Sequence, residues 1–198
     1  LADVAGTSIS LGGGTFNAGT LTFNSAGAVV ISEDSDMDIV GVNTAGSADL
    51  DSTGAISDAG ATSVTVTGLT DAAGTSITLG GGTFDSGTLT FNSAGAVVIS
   101  EDSDMDIVGV NTAGSADLDS TGAISDAGAT SVDVTMLADV AGTSITLGGG
   151  TFNAGTLTFN SLGMVTISED SDMDIVGVNT AGSADLDSTG AISDAGAT

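Results

Sequence analysis

The chain has 198 residues and 26 acidic side chains but no Lys, Arg or His, so its formal net charge is −26. With no cationic group to neutralise phosphate, nucleic-acid binding and docking on anionic membranes are excluded. No apolar run approaches the ~18 residues of a spanning helix, and hydrophobic residues at 40% exclude a disordered acidic tail.

The opening segments set the pattern. Thr7–Leu11 (TSISL) alternates, with Ile9 and Leu11 on one face. Gly12–Gly14 follows as a corner where only Gly fits. Gly19–Asn24 (GTLTFN) sets Leu21 and Phe23 against Thr20, Thr22 and Asn24. Ala28–Ser32 (AVVIS) and Asp38–Val42 (DIVGV) are shorter and more continuously apolar, and between them lies the acidic run Glu33-Asp34-x-Asp36-x-Asp38. Ala48–Ser52 (ADLDS) turns Leu50 inward, and Ser63–Gly68 (SVTVTG) does so with Val64 and Val66. Strand formers fill these runs and Gly, Asn, Asp and Ser separate them. No stretch has the period of a helix.

Leu1, Leu69 and Leu137 open equivalent segments, dividing the chain into repeat 1 (1–68), repeat 2 (69–136) and a shorter repeat 3 (137–198). Repeats 1 and 2 differ at seven positions, and repeat 3 carries Leu162, Met164 and Thr166 where repeat 1 has Ala26, Ala28 and Val30. Short strands, small-residue corners and recurring inward aliphatics describe one continuous all-β solenoid. The expected parse is about three rungs per repeat: Leu1–Ala18, Gly19–Ala45 and Gly46–Gly68, the middle one longest because it carries the acidic run. The alternative is tandem small β-sandwiches, each no longer than one repeat, which is a marginal size for an independent core.

TLTFNSAGAVVISEDSD, NTAGSADLDSTGAISDAGATSVTVTG and the Ala-Gly-Thr-Ser-Ile starts resemble repeats of giant bacterial surface and secreted proteins. These are of the filamentous-haemagglutinin-like type, as in planctomycetes and other marine bacteria. The resemblance covers the whole chain. It implies a right-handed parallel β-helix and an extracellular or cell-surface, adhesive or fibrous role, and it implies no catalytic residue. The near-perfect repetition and the lack of basic residues depart from that family and point towards a homogeneous filament.

Two readings of the acidic run stay open. In one it is a solvated bulge that keeps strands from pairing sideways. In the other, carboxylates at D-x-D-x-D spacing bind Ca²⁺. The ligands would be Glu33, Asp34, Asp36 and Asp38; Glu101, Asp102, Asp104 and Asp106; and Glu169, Asp170, Asp172 and Asp174. Asp49, Asp51, Asp117, Asp119, Asp185 and Asp187 would share that role more weakly. On a coil with rungs about 4.8 Å apart, acidic groups would recur close together and call for mobile cations.

No enzyme is expected. Neither a Ser–His, Cys–His nor Ser–Lys pair can be assembled, and the only Glu residues lie in the acidic runs, without Trp or Tyr to hold a sugar. The glycine runs lack the Lys of a phosphate loop. Thr20-x-Thr22 and Thr65-x-Thr67 hint at an ice-binding face, but Thr65 becomes Asp133 in repeat 2. LADVAGTSIS lacks the basic start and apolar core of a signal peptide, so the chain reads as mature material or an excised piece. The expectation is a structural extracellular fibre subunit. Its open ends would polymerise with further copies, with Ca²⁺ or a surface carbohydrate as further partners in the adhesin-stalk alternative.

Overall fold

Period-two alternation of apolar and polar side chains becomes strand throughout the computed structural model, which describes residues 1–194. Leu21–Ser25 buries Leu21, Phe23 and Ser25, and Ala28–Glu33 buries Val29, Ile31 and Glu33. Among the described residues there are 23 strands and no helix. Each strand pairs in parallel with strands one turn along the chain, as Leu157 does with Ile175 and Ala48 with Thr70. This is a β-solenoid of about ten turns, a stack roughly 50 Å long at ~4.8 Å per turn.

Strands run straight through the repeat boundaries. Ser63–Gly74 and Ser131–Gly142 each begin in one repeat and end in the next. Ser63–Gly74 pairs with Val42–Ala45 and Ser47–Ser52 of repeat 1 and with Thr83–Ser93 of repeat 2. Separate β-sandwich beads are thereby excluded.

The repeat and the turn do not match in length. One ladder on the coil carries Ala2, Leu21, Ile39 and Asp58 on successive turns. The other carries Ile9, Val29, Ala48, Thr70 and Leu89 about half a turn further round. Leu21 and Leu89 are equivalent by sequence, so one repeat spans close to three and a half turns. Successive repeats therefore present the same residues on opposite sides of the coil. The acidic segment does not lengthen its turn, since Met37 pairs with Ile56 at the same chain spacing as Ala2 with Leu21.

The core is one continuous column of inward residues, with Phe23, Phe84, Phe91 and Phe152 the largest fully buried side chains. Phe84 stacks on Val64, whereas its counterpart Phe16 is only partly buried, because no turn lies beneath it. Gly80 makes the expected glycine corner at φ +96°, where a Cβ would overlap the Ser100 carbonyl oxygen. A second left-handed glycine, Gly41 at φ +72°, bends the chain after Ile39.

Candidate functional site

The acidic corner is built by the strand parity that precedes it. Val29, Ile31 and Glu33 share the inward face of Ala28–Glu33, so Glu33 is carried into the protein and is only 2% exposed. Its Oε1 accepts the Ala18 N–H at 2.7 Å and the Ser35 hydroxyl at 3.3 Å, while Oε2 has no partner. Asp34 Oδ2 accepts the Phe16 N–H at 2.9 Å, and the Asp34 N–H donates back to the Phe16 carbonyl at 2.9 Å. Asp36 Oδ1 accepts the Ala55 N–H at 2.9 Å, and Asp38 Oδ1 accepts the Ser57 hydroxyl at 2.6 Å.

Phe16 and Ala18 belong to the turn below the corner, and Ala55 and Ser57 to the turn above. The four carboxylates thus stitch three consecutive turns together. Backbone N–H groups, polarised and fixed, take the place of the missing cations.

The stitch recurs in both other repeats. Glu101 accepts the Ser86 N–H at 2.9 Å, Asp102 the Phe84 N–H at 3.1 Å, Asp104 the Ala123 N–H at 2.8 Å and Asp106 the Ser125 hydroxyl. Glu169 accepts the Ala154 N–H at 2.9 Å, Asp170 the Phe152 N–H at 3.2 Å, Asp172 the Ala191 N–H at 2.8 Å and Asp174 the Ser193 hydroxyl.

Burial pushes the Glu101 carboxyl up to about 7. The Ser86 N–H and the Ser103 hydroxyl pull it back down, and Asp85 and Asp106 add to the rise. Burial raises Glu169 as well. Glu101 Oε2 and Glu169 Oε2 are, like Glu33 Oε2, buried without a partner.

The corners do not stack on one another. The turn above Glu33 presents Ser52, and the turn above Asp38 presents Ser57. The next acidic corner lies three and a half turns away on the opposite side. Among the described residues, no group of three or more His, Cys, Asp or Glu side chains is arranged to hold a metal ion. The carboxylates that do stack are others. Asp71 sits on Asp49 beside Asp51, and Asp139 sits on Asp117 beside Asp119. Burial first, and then mutual repulsion, raise Asp51, Asp71, Asp117 and Asp139 above the usual carboxylate range. Asp185 and Asp187 lie in the strand Ser183–Ser188 of repeat 3, with Asp185 paired to Thr166.

Two positions escaped the sequence reading. Asn43 and its counterpart Asn111 are fully buried. Asn43 Oδ1 accepts the Phe23 N–H at 2.9 Å, and Nδ2 donates to the carbonyls of Val40 at 3.0 Å and Ser63 at 3.3 Å. The bend at Gly41 interrupts the ladder, and this amide bonds the backbone groups left there. Asp58 accepts the N–H groups of Gly80 and Gly81 at 3.0 and 2.8 Å and so holds the glycine corner of the next turn. The threonines form no array: the ladder through Thr65 reads Asn24, Thr44, Thr65 and Asp85, and Thr22 donates to the Val40 carbonyl at 2.9 Å.

No family model, curated protein or solved structure matches the chain.

Proposed function

We propose that the chain is a structural module of an extracellular or cell-surface fibre, a stiff rod whose ends add to further copies. One observation carries this reading: the parallel ladder passes through both repeat boundaries, making three repeats one rod with a single core. The chemistry of the corners supports it, because their carboxylates are bound to neighbouring turns. The absence of Lys and Arg leaves no trypsin-type cleavage site, which suits an exposed fibre. The resemblance of the repeats to those of bacterial surface proteins supports the extracellular setting.

Electron microscopy and small-angle scattering of the purified chain test the reading. It requires rods about 50 Å long per chain at ~4.8 Å per turn. Three separate beads, or a chain with no extended shape, would overturn it.

A further inference from the structure

A groove on the side of the coil crosses five successive turns. It starts at Gly80, passes Ser100 and Asp119, then Ala141, and ends at Leu162, with a volume of about 440 Å³. These residues follow one another up the stack. A Cβ on Gly80 would strike the Ser100 carbonyl oxygen, Ser100 leads through the same ladder to Asp119, and Asp119 pairs with Ala141. Ser161, beside Leu162, donates its hydroxyl to the Thr143 carbonyl of the turn below. Four spacings of ~4.8 Å make the groove roughly 19 Å long. Small residues leave it hollow, with Gly80, Gly82, Ala141 and Gly142 filling little of the space.

Its two halves differ in chemistry. Glu101, Asp102 and Asp119 line the second and third turns. Glu101 is only 2% exposed and its Oε2 has no hydrogen-bond partner. A buried carboxylate oxygen without a donor is charge left uncompensated, and a cation seated above it offsets that cost. Ala141, Gly142 and Leu162 line the fourth and fifth turns. Leu162 is 97% exposed, so its apolar surface is free for a ligand.

Every residue that lines the groove recurs one repeat earlier, between Gly12 and Thr75, with one exception. Ala94 stands where the groove has Leu162. The earlier copy therefore has the acids, including Glu33 with its unpartnered Oε2, and lacks the apolar end.

We propose that this groove binds a primary alkylammonium ion, its charged head beside Asp102 and Asp119 above Glu101 and its alkyl tail along Ala141 and Gly142 against Leu162. From Asp119 to Leu162 is two turns, roughly 10 Å, which an ammonium carrying about six carbons spans. Both halves of such a ligand are needed. A bare metal cation would leave Leu162 uncovered, and among the described residues no three acids are arranged to hold one. A neutral alcohol would cover Leu162 and leave Glu101 uncompensated. The site is complete within one rod and does not depend on the extracellular setting.

The test is isothermal titration calorimetry with hexylammonium chloride at pH 8, above the range in which Glu101 titrates. Sodium chloride at about 0.15 M screens contacts made by charge alone. Expected is one saturable site per chain, at least tenfold tighter than for methylammonium and for 1-hexanol. Leu162→Ala should weaken binding at least fivefold and leave the melting temperature unchanged, because the side chain is exposed. Glu101→Gln should weaken binding as well, with circular dichroism showing the coil intact. Ala94→Leu, which supplies the missing apolar end, should add a second site of similar affinity. Methylammonium or 1-hexanol binding as tightly as hexylammonium would overturn the proposal. So would binding indifferent to Leu162→Ala, an Ala94→Leu chain that still takes up one ligand, or the lack of any saturable site.

Discussion

Leu21 and Leu89 hold the same place in the sequence repeat, yet they enter the core from opposite sides of the coil. A repeat of a whole number of turns would stack every chemical feature above its own copy. The half-turn offset does the reverse for the acidic corners. Each lies mainly against uncharged residues of adjacent turns, such as Phe16, Ala18, Ala55 and Ser57 around the first corner, although Asp85 lies beside Glu101 in the second, and its nearest copy is ~17 Å away along the axis at ~4.8 Å per turn. This is how a chain with a net charge of −26 and no cationic side chain packs its turns so closely. The exception is costly: where Asp71 lies on Asp49, and Asp139 on Asp117, the carboxyls are displaced upwards.

The buried amide at Asn111 joins three backbone groups around the bend at Gly109. It accepts the Phe91 N–H at 2.9 Å and donates to the carbonyls of Val108 at 3.0 Å and Ser131 at 3.2 Å. Asn111→Leu leaves the Phe91 N–H without its acceptor inside the protein and takes one donor from the carbonyls of Ser131 and Val108, the latter keeping the Thr90 hydroxyl. The expected loss is about 1–3 kcal/mol, the cost of orphaning a buried backbone donor. Hydrogen exchange should show the Phe91 amide among the most accelerated, with turns near residue 150 unaffected, since coupling in a solenoid is between neighbours.

Stability should rise as pH falls from 8 to 5. Glu101 is raised to about 7 in the folded chain against 4.5 for an ordinary glutamate. The native state therefore holds the proton more tightly than the unfolded state, and stability is lost as pH climbs through that window. Glu169, Asp51, Asp71, Asp117 and Asp139 are shifted in the same direction. Thermal melts across this range check the sign. Glu101→Gln keeps the acceptor for the Ser86 N–H and removes the charge, so its Tm at pH 8 should exceed that of the parent and its pH slope should be shallower. A Tm that climbs from pH 5 to pH 8 would contradict the assignment.

The acidic corner can be tested against the calcium reading directly. The carboxylates already accept hydrogen bonds from the N–H groups of Phe16, Ala18 and Ala55. A melt in chelator should therefore match one at equal ionic strength in sodium chloride. Asp36→Asn, which preserves an oxygen for the Ala55 N–H, should be nearly neutral, while Asp36→Ala should cost about 1–2 kcal/mol for the lost charge-assisted bond. A melting temperature lowered by chelator and restored only by Ca²⁺ would return the corner to metal binding.

Much of the fold was legible because parity is a local property. Leu21 with Phe23, Leu50, and Val64 with Val66 all point inward as their alternation required. Parity also held a signal that was passed over: in AVVISE, Glu33 is in phase with Val29 and Ile31, which predicts burial rather than solvation. Parity fails at Gly41, where the left-handed bend resets the phase. Val42 is left 64% exposed and Asn43 takes the inward place, so the side facing the core cannot be counted across that glycine. The half-turn offset was hidden for a different reason. It depends on which turn each strand joins, and period two is silent about how far along the chain a strand finds its partner.

Glycines of one run should respond differently to the same substitution, depending on what lies next to them. Gly80 combines φ +96° with a Cβ position overlapping the Ser100 carbonyl oxygen, so Gly80→Ala should cost roughly 2 kcal/mol or more. Gly82→Ala should be comparably damaging, since its Cβ would overlap the Thr62 carbonyl oxygen in the turn below. Gly13 and Gly14 are the counterparts of Gly81 and Gly82 in the first turn, and nothing lies within 4 Å of a Cβ at either. Gly13→Ala and Gly14→Ala should therefore fall within about 0.5 kcal/mol of the parent in urea titrations, as surface substitutions do. The contrast isolates the physical cause. The second and third glycines of the run are required by the turn stacked beneath them, and where no turn is present that requirement disappears, whereas the first, Gly12 or Gly80, keeps its positive φ and its overlap with the turn above. Equal damage at Gly14 and Gly82 would instead mean that the corner itself, and not the stacking, demands glycine.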